Sequence, residues 1–198
     1  MSTSATLTAD RLAQTDSPVL DVLAARWSPR AFDAATPIDE GKLASALEAA
    51  RWAPSANNLQ PWRFIVARRG TATHDALVAT LFGFNQAWAG NAAALIVAIA
   101  ETETEDGTAI SHAVYDLGQA VAHLSVQAHH DGLYVHQMSG FDRDAVRQAF
   151  SLDERFAPMV ILAIGDMGDA SALPDVLRER ETAPRARRPL AETLIETV

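Results

Sequence analysis

Arg51-Trp52-Ala53-Pro54-Ser55-Ala56-Asn57-Asn58-Leu59-Gln60-Pro61-Trp62-Arg63-Phe64 is a polar loop bracketed by two prolines, set between an apolar helical pattern and an apolar strand pattern. Pro54 and Pro61 fix their own φ and bias the residue before each away from αR, so the helix ending near Trp52 must stop and the chain must run extended. Between the prolines, Ser55, Asn57, Asn58 and Gln60 carry both donors and acceptors, the mixture that a flat heterocycle with alternating carbonyl and N–H edges requires. An Asx-rich connecting turn uses the same residue types.

Upstream, Pro37 to Ala50 reads as the helix that delivers the chain to this loop, with Asp39 and Glu40 in its first turn and Leu43, Ala46, Leu47 and Ala50 as its apolar stripe. Before it, Val19, Leu20, Val22 and Leu23 make a short amphipathic helix, open to capping by Ser17, that runs into Arg26-Trp27-Ser28-Pro29-Arg30-Ala31-Phe32. In extended backbone the alternation of Arg26, Ser28 and Arg30 aims two guanidinium forks and a hydroxyl to one side, a grip for a phosphate or ribityl chain. Arginines capping a helix C-terminus are the commoner meaning of such a cluster. Residues 1–17, rich in Ser, Thr and Ala without a sustained apolar period, read as a flexible segment that carries no chemistry, leaving 18–198 as one domain.

Downstream, Phe64 to Ala67 reads as a buried strand and Thr71 to Phe82 as an amphipathic helix, after which Asn85 stands among aromatics at a helix junction. Ala93 to Ala100 and Pro158 to Gly165 are unbroken apolar runs, expected as central strands covered on both faces. Ser111 to His130 is the longest helical pattern, and its small residues Gly118 and Ala122 suit either an ordinary core helix or one at a subunit interface. Gly132 to Asp142 reads as a strand that turns at Gly140 into a helix starting near Asp142. The stretch Arg178 to Arg188 is rich in arginine within an acidic protein, and on charge pattern alone it is equally a solvated face or an anion site.

With 198 residues, 48% hydrophobic and 21% charged, the chain supports one sizeable core. A formal charge of −9 opposes condensation on nucleic acid or an anionic membrane. The absence of cysteine excludes disulfides, thiolate nucleophiles and Cys-ligated metals. The longest apolar stretch is too short to span a bilayer and Met1 to Ala9 lacks a signal-peptide pattern, so a cytoplasmic protein is expected. His123, His129 and His130 do not share the i, i+4 spacing that sets two ligands on one helix face, so no metal site is expected. The dinucleotide fingerprint, the P-loop and the Gly-x-Ser-x-Gly elbow are all missing.

Pro54-Ser55-x-x-Asn58-x-Gln60-Pro61-Trp62 after an Ala-rich helix resembles the signature of the FMN-dependent nitroreductase family, and further matches extend the resemblance over about residues 20 to 198. Arg26-x-Ser28-x-Arg30 resembles that family's phosphate grip, and Arg185-Ala186-Arg187-Arg188-Pro189-Leu190 resembles its C-terminal phosphate-binding motif. The resemblance implies an α+β fold, a mixed sheet flanked by helices, in an intertwined homodimer whose C-terminal arm, from about residue 184, extends over the partner. It also implies FMN at the interface, with Arg26, Ser28, Arg30, Pro54, Ser55, Asn58, Gln60, Asn85, Ser139, Gly140, Arg185 and Arg187 as cofactor contacts and Arg188 as a substitute for Arg187. By the same resemblance, NAD(P)H donates hydride and a small electron-poor acceptor such as a nitroaromatic or quinone receives it in a ping-pong cycle without a catalytic side chain. Other flavin chemistry (dehalogenation, ene reduction, flavin destruction) and a non-catalytic flavin-binding dimer are the alternatives. Two departures stand out: Ser139 where many relatives have an acidic residue, and Trp88 where many have a Lys or Arg near the flavin pyrimidine edge. Arg63 is the other candidate for that positive charge.

Overall fold

In the computed structural model, which describes residues 11–196, a four-stranded sheet in the order β1-β2-β4-β3 lies between two helical layers. Its strands are β1 (Trp62–Arg68), β2 (Ala94–Glu101), β3 (Tyr134–Met138) and β4 (Phe156–Gly165). The helices are α1 (Asp21–Ala25), α2 (Glu40–Arg51), α3 (Ala72–Thr80), α4 (Gly83–Ala89), α5 (Ala113–His130), α6 (Arg143–Ala149) and α7 (Asp175–Thr182). The α+β architecture with flanking helices is as expected, but every pairing within this sheet is antiparallel rather than mixed.

The apolar run of β2 is buried along its whole length because alternate side chains enter two different cores. Ile96, Ala98 and Ala100 face α2 and α5 with Leu43, Ala46, Leu117 and Leu124. Leu95, Val97 and Ile99 face the opposite layer with Leu77, Trp88, Val146 and Leu177. The outer strands β1 and β3 are partly exposed, as strand edges are. Along β2–β4 the register slips between Ala98 and Ile99, and Pro158, which has no N–H to give the ladder, pairs with Ile99 just beyond the slip.

Helix starts follow their capping residues. The Asp39 carboxylate accepts from the Gly41 and Lys42 N–H groups at the head of α2, and Asp142 does the same for Asp144 and Ala145 at α6. Thr71 caps α3 by accepting from His74 N–H. At α1 the residue before the helix is Leu20, which makes no side-chain cap, so Ser17 plays no capping part. The expected helix over Thr71 to Phe82 stops early, because Leu81 turns extended and bridges Phe141 before α4 begins.

Ala31–Asp33 runs antiparallel to Asp166–Gly168, with Gly168 N–H donating to the Ala31 carbonyl at 2.8 Å and Asp33 N–H to the Asp166 carbonyl at 3.0 Å. A Cβ on Gly168 would lie 2.6 Å from the Phe32 backbone, so only glycine admits this approach. It ties the segment Arg26 to Arg30 to the end of β4. Residues 1–10, part of the stretch expected to be flexible, fall outside the described residues. Residues 11–13 are docked: Ala13 N–H donates to the Ala24 carbonyl at 2.9 Å, and Arg11 Nη1 to the Ala183 carbonyl at 2.8 Å.

Candidate functional site

The two arginine-bearing segments, more than 150 residues apart in sequence, meet in space. Arg26, Ser28, Arg185 and Arg187 line one cavity of about 200 Å³ together with Arg11 and Trp27. No carboxylate is among its lining residues. Burial, then the charge of Arg187, holds the Arg26 guanidinium below its ordinary pKa. For Arg185 the causes are burial followed by Arg187, Arg26 and Arg11. Arg11, Arg26, Arg185 and Arg187 thus gather four like charges around the cavity, with Glu181 acting on Arg11 from outside its lining, and such a cluster suits an anion. The Arg185 Nη1 atom donates to the Arg11 and Ala24 carbonyls at 2.5 and 2.7 Å, which fixes the C-terminal arm against the end of α1.

Arg26, Ser28 and Arg30 do not form one continuous grip. Arg26 Nη2 donates to Ser28 Oγ at 3.4 Å, whereas Arg30 is drawn toward Glu181 on α7, 3.9 Å away. The Glu181 carboxylate, only 3% exposed, also accepts from the Arg30 and Ala31 backbone N–H groups. Glu181 thereby docks α7 on the Arg26–Arg30 segment, and the buried Arg30 Nε keeps no partner among the described residues.

On the flank of this segment, His136 Nδ1–H donates to the Pro29 carbonyl at 2.8 Å. Burial is the main cause that pushes His136 down to about 4, with Arg30 adding to it and the Pro29 carbonyl opposing it. His136 packs against Trp88 with ring centroids 4.6 Å apart. Trp88 is 1% exposed and also stacks on Phe32, so the indole at the position where the family resemblance implies a cation is a core residue. Arg63 is not a free cation either: it pairs with Glu101, which also binds Arg155 at 2.6 Å.

Asn85 and Gly140, read from separate stretches, are joined by a hydrogen bond from Asn85 Nδ2 to the Gly140 carbonyl at 3.0 Å. A Cβ on Gly140 would come within 2.8 Å of that amide nitrogen, so the glycine keeps the approach open. Ser139 is exposed beside it. On α7, Arg180 covers the Phe84 ring at 4.8 Å, which closes this patch onto the helix that carries Glu181.

The proline-bracketed loop lies elsewhere. Asn57, Asn58 and Gln60 hold φ of 52°, 55° and 51°, a left-handed backbone that costs non-glycine residues energy. The loop holds this shape by bonding to itself. Gln60 N–H donates to Ser55 Oγ at 3.0 Å and Gln60 Nε2 to the Asn58 carbonyl at 3.1 Å, leaving the Asn58 side chain exposed. Its anchor is Asp116, 2% exposed in the first turn of α5, which accepts from Ala56 N–H at 3.1 Å. At the far end of the same helix, His129 is held low by burial and then by Arg26 and Arg185. The 18 residues of α5 put about 27 Å between the two ends. Within one chain, therefore, Arg26, Ser28, Arg185 and Arg187 are assembled and Asn85 with Gly140 are assembled, while Pro54, Ser55, Asn58 and Gln60 lie at the opposite end of α5 from the arginines.

Sequence reasoning missed Arg11, Glu181, Asp116 and His136. Arg11 sits in a Ser, Thr and Ala rich stretch, Glu181 is one acid in a basic run and Asp116 one polar residue on an amphipathic helix; nothing in their local pattern separates a buried acid or a docked arginine from a solvated one.

The molecule superposes on the crystal structure of an oxidoreductase containing FMN with a TM-score of 0.87 at 37% identity, over 92% of this chain and 93% of that one. A Mycolicibacterium smegmatis protein, known as an uncharacterized 15.4 kDa protein in the ask 5' region, is 35% identical over 66% of this chain and 92% of its own length. A Thermus thermophilus NADH dehydrogenase is 37% identical over 72% of this chain, which spans 58% of that protein. The profile of the Nitroreductase family matches residues 23–166, and the chain belongs to that family.

Proposed function

We propose that this protein is an FMN-dependent oxidoreductase that takes hydride from NAD(P)H and passes it to a small electron-poor acceptor such as a nitroaromatic or quinone, acting as a homodimer. The observation that carries this reading is the cavity in which Arg26, Ser28, Arg185 and Arg187 converge without a lining carboxylate. Charge-assisted hydrogen bonds from arginine forks suit a phosphomonoester, and FMN carries one. The FMN-containing oxidoreductase at 37% identity supports the same ligand.

Arg26, Ser28, Arg185 and Arg187 would hold the phosphate. Arg30, whose buried Nε lacks a partner among the described residues, and Asn85, Ser139 and Gly140 would border the remainder of the cofactor on the same side. Pro54, Ser55, Asn58 and Gln60 would reach it from the second subunit, since α5 separates them from the arginines of their own chain. The exposed Val114, Tyr115, Gly118 and Ala122 give α5 a face for that subunit. FMN held there would supply the two-electron, hydride-transfer chemistry. No side chain is assigned a proton-transfer role.

One observation favours a second reading, a flavin-binding dimer of low turnover or of other flavin chemistry: Trp88, at the position where the family resemblance implies a cation to stabilise reduced flavin, is packed in the core. Anaerobic titration of the FMN-loaded protein with NADH and then NADPH separates the two. Bleaching of the flavin absorbance, followed by turnover with a nitroaromatic or quinone, is the expected result. A flavin that binds but is not reduced favours the second reading, and a protein that takes up no FMN overturns both.

A further inference from the structure

We infer that Arg11, which lies outside the region matched to the family, is a phosphate-reading residue of the arginine cavity, and that phosphate draws the N-terminal segment and the C-terminal arm together over it. The inference rests on the FMN reading for its ligand class, a phosphomonoester dianion.

Arg11 is not placed like a solvated surface arginine. Its guanidinium lies over the Trp27 indole, 3.9 Å from the ring centroid, and Nη1 donates to the Ala183 carbonyl at 2.8 Å. The Nε atom is buried and has no partner among the described residues. The side chain is thus oriented from two sides, with its buried Nε–H unpartnered among the described residues, in the wall of the cavity it shares with Arg26, Ser28, Arg185 and Arg187. Holding an arginine in one rotamer costs entropy and a buried unpartnered donor costs more, and a phosphate acceptor would offset both.

The backbone of the same residue ties the two chain ends together. The Arg11 carbonyl accepts from Arg185 Nη1 at 2.5 Å, and the same atom reaches the Ala24 carbonyl at 2.7 Å. Ala13 N–H meets that Ala24 carbonyl as well, at 2.9 Å. Segment 11–13 is therefore clasped between α1 and the arm by the very arginine that lines the cavity. Mutual repulsion among Arg11, Arg26, Arg185 and Arg187, offset at Arg11 by Glu181, works against this clasp, and a dianion at their centre would reverse the sign and tighten it. Burial, partly offset by Glu181, keeps the Arg11 guanidinium below its ordinary pKa, in line with a crowded cationic cluster that still remains charged.

The test titrates apoprotein of the parent, Arg11→Ala and Arg11→Lys with FMN and with riboflavin, and follows trypsin cleavage of both chain ends with FMN, riboflavin or inorganic phosphate present. Arg11→Ala should weaken FMN binding about tenfold or more and leave riboflavin binding unchanged, since one charge-assisted donor is lost. Arg11→Lys should recover only part of the loss, because an ammonium keeps the charge and not the fork. FMN and phosphate, but not riboflavin, should protect both ends of the parent together. If Arg11→Ala keeps the parent's preference for FMN over riboflavin, the inference falls while the FMN reading stands. If the parent itself shows no such preference, the phosphate reading fails first. Should Arg11→Ala not fold, the parent decides: protection of the C-terminal arm alone, with the N-terminal segment cut as before, overturns the inference.

Discussion

At one end of α5, half-buried Arg11, Arg26 and Arg185 and the more exposed Arg187 surround a cavity built from both ends of the chain. At the other end, the loop from Pro54 to Gln60 stands on the surface, anchored by Asp116 and held in a left-handed backbone by bonds to itself. The loop is one short polar cluster in the sequence, whereas the cavity draws on segments more than 150 residues apart. The first is made by long-range packing, and its groups are crowded until a ligand neutralises them; the second is shaped locally before any ligand arrives, at a cost in backbone strain. A cavity of this kind specifies charge, whereas a preformed loop specifies shape, and a ligand with a charged tail and a flat head needs both. The two ends of a single α5 cannot supply them to one molecule of that size, which makes a second copy part of the proposed site.

The largest test of this contrast mixes two broken chains. One carries Arg26→Ala and Arg187→Ala, the other Asn58→Ala and Gln60→Ala, and each alone should lose most of its FMN affinity. If the halves come from different subunits, unfolding and refolding the mixture should restore parental binding in about one site in four, the statistical share of intact sites in a two-fold dimer. If both halves served a ligand within one chain, no site would recover, and flavin fluorescence quenching tells the outcomes apart.

Acid should strike the cavity end before the loop end. His136 is held neutral in the fold, down to about 4 through burial, so the unfolded chain binds more protons below its own value near 6.5. Stability is therefore full above about pH 6.5 and falls as pH drops toward 4, with His129, also lowered, acting in the same direction. The expected loss from His136 is on the order of 3 kcal/mol across that window. His136→Gln should flatten the pH dependence of urea unfolding, and an unchanged slope would remove His136 as the cause.

The smallest effect tests whether the loop's strain serves binding. Gln60→Gly relieves a left-handed φ of 51° and should stabilise the fold by about 1 kcal/mol, a rise in Tm of a few degrees. The same change removes the amide that bonds the Asn58 carbonyl, so flavin affinity should fall. Thermal melts and titrations of one sample check both directions. A variant that is less stable, or that binds as tightly, would mean that the loop geometry is not held for a ligand.

Much of this molecule was legible in its sequence, because some signals are local and strong. Asp39 and Asp142 announce helix starts through capping, the unbroken runs Ala93 to Ala100 and Pro158 to Gly165 announce covered strands, and the proline bracket announces a stopped helix and an extended loop. Family resemblance rests on the same local motifs, and the match at residues 23–166 bears it out. What tertiary structure alone decided is which polar groups become buried, and beside whom. That Arg30 turns to Glu181 while Arg26 joins Arg185 and Arg187, that Trp88 packs between Phe32 and His136, and that Arg11 enters the cavity at all depend on segments distant in sequence. Local propensity is a short-range property of the backbone, whereas burial and electrostatic partnership are set by whichever surfaces meet last, and no residue pattern in one stretch records the charge of the segment that will fold against it.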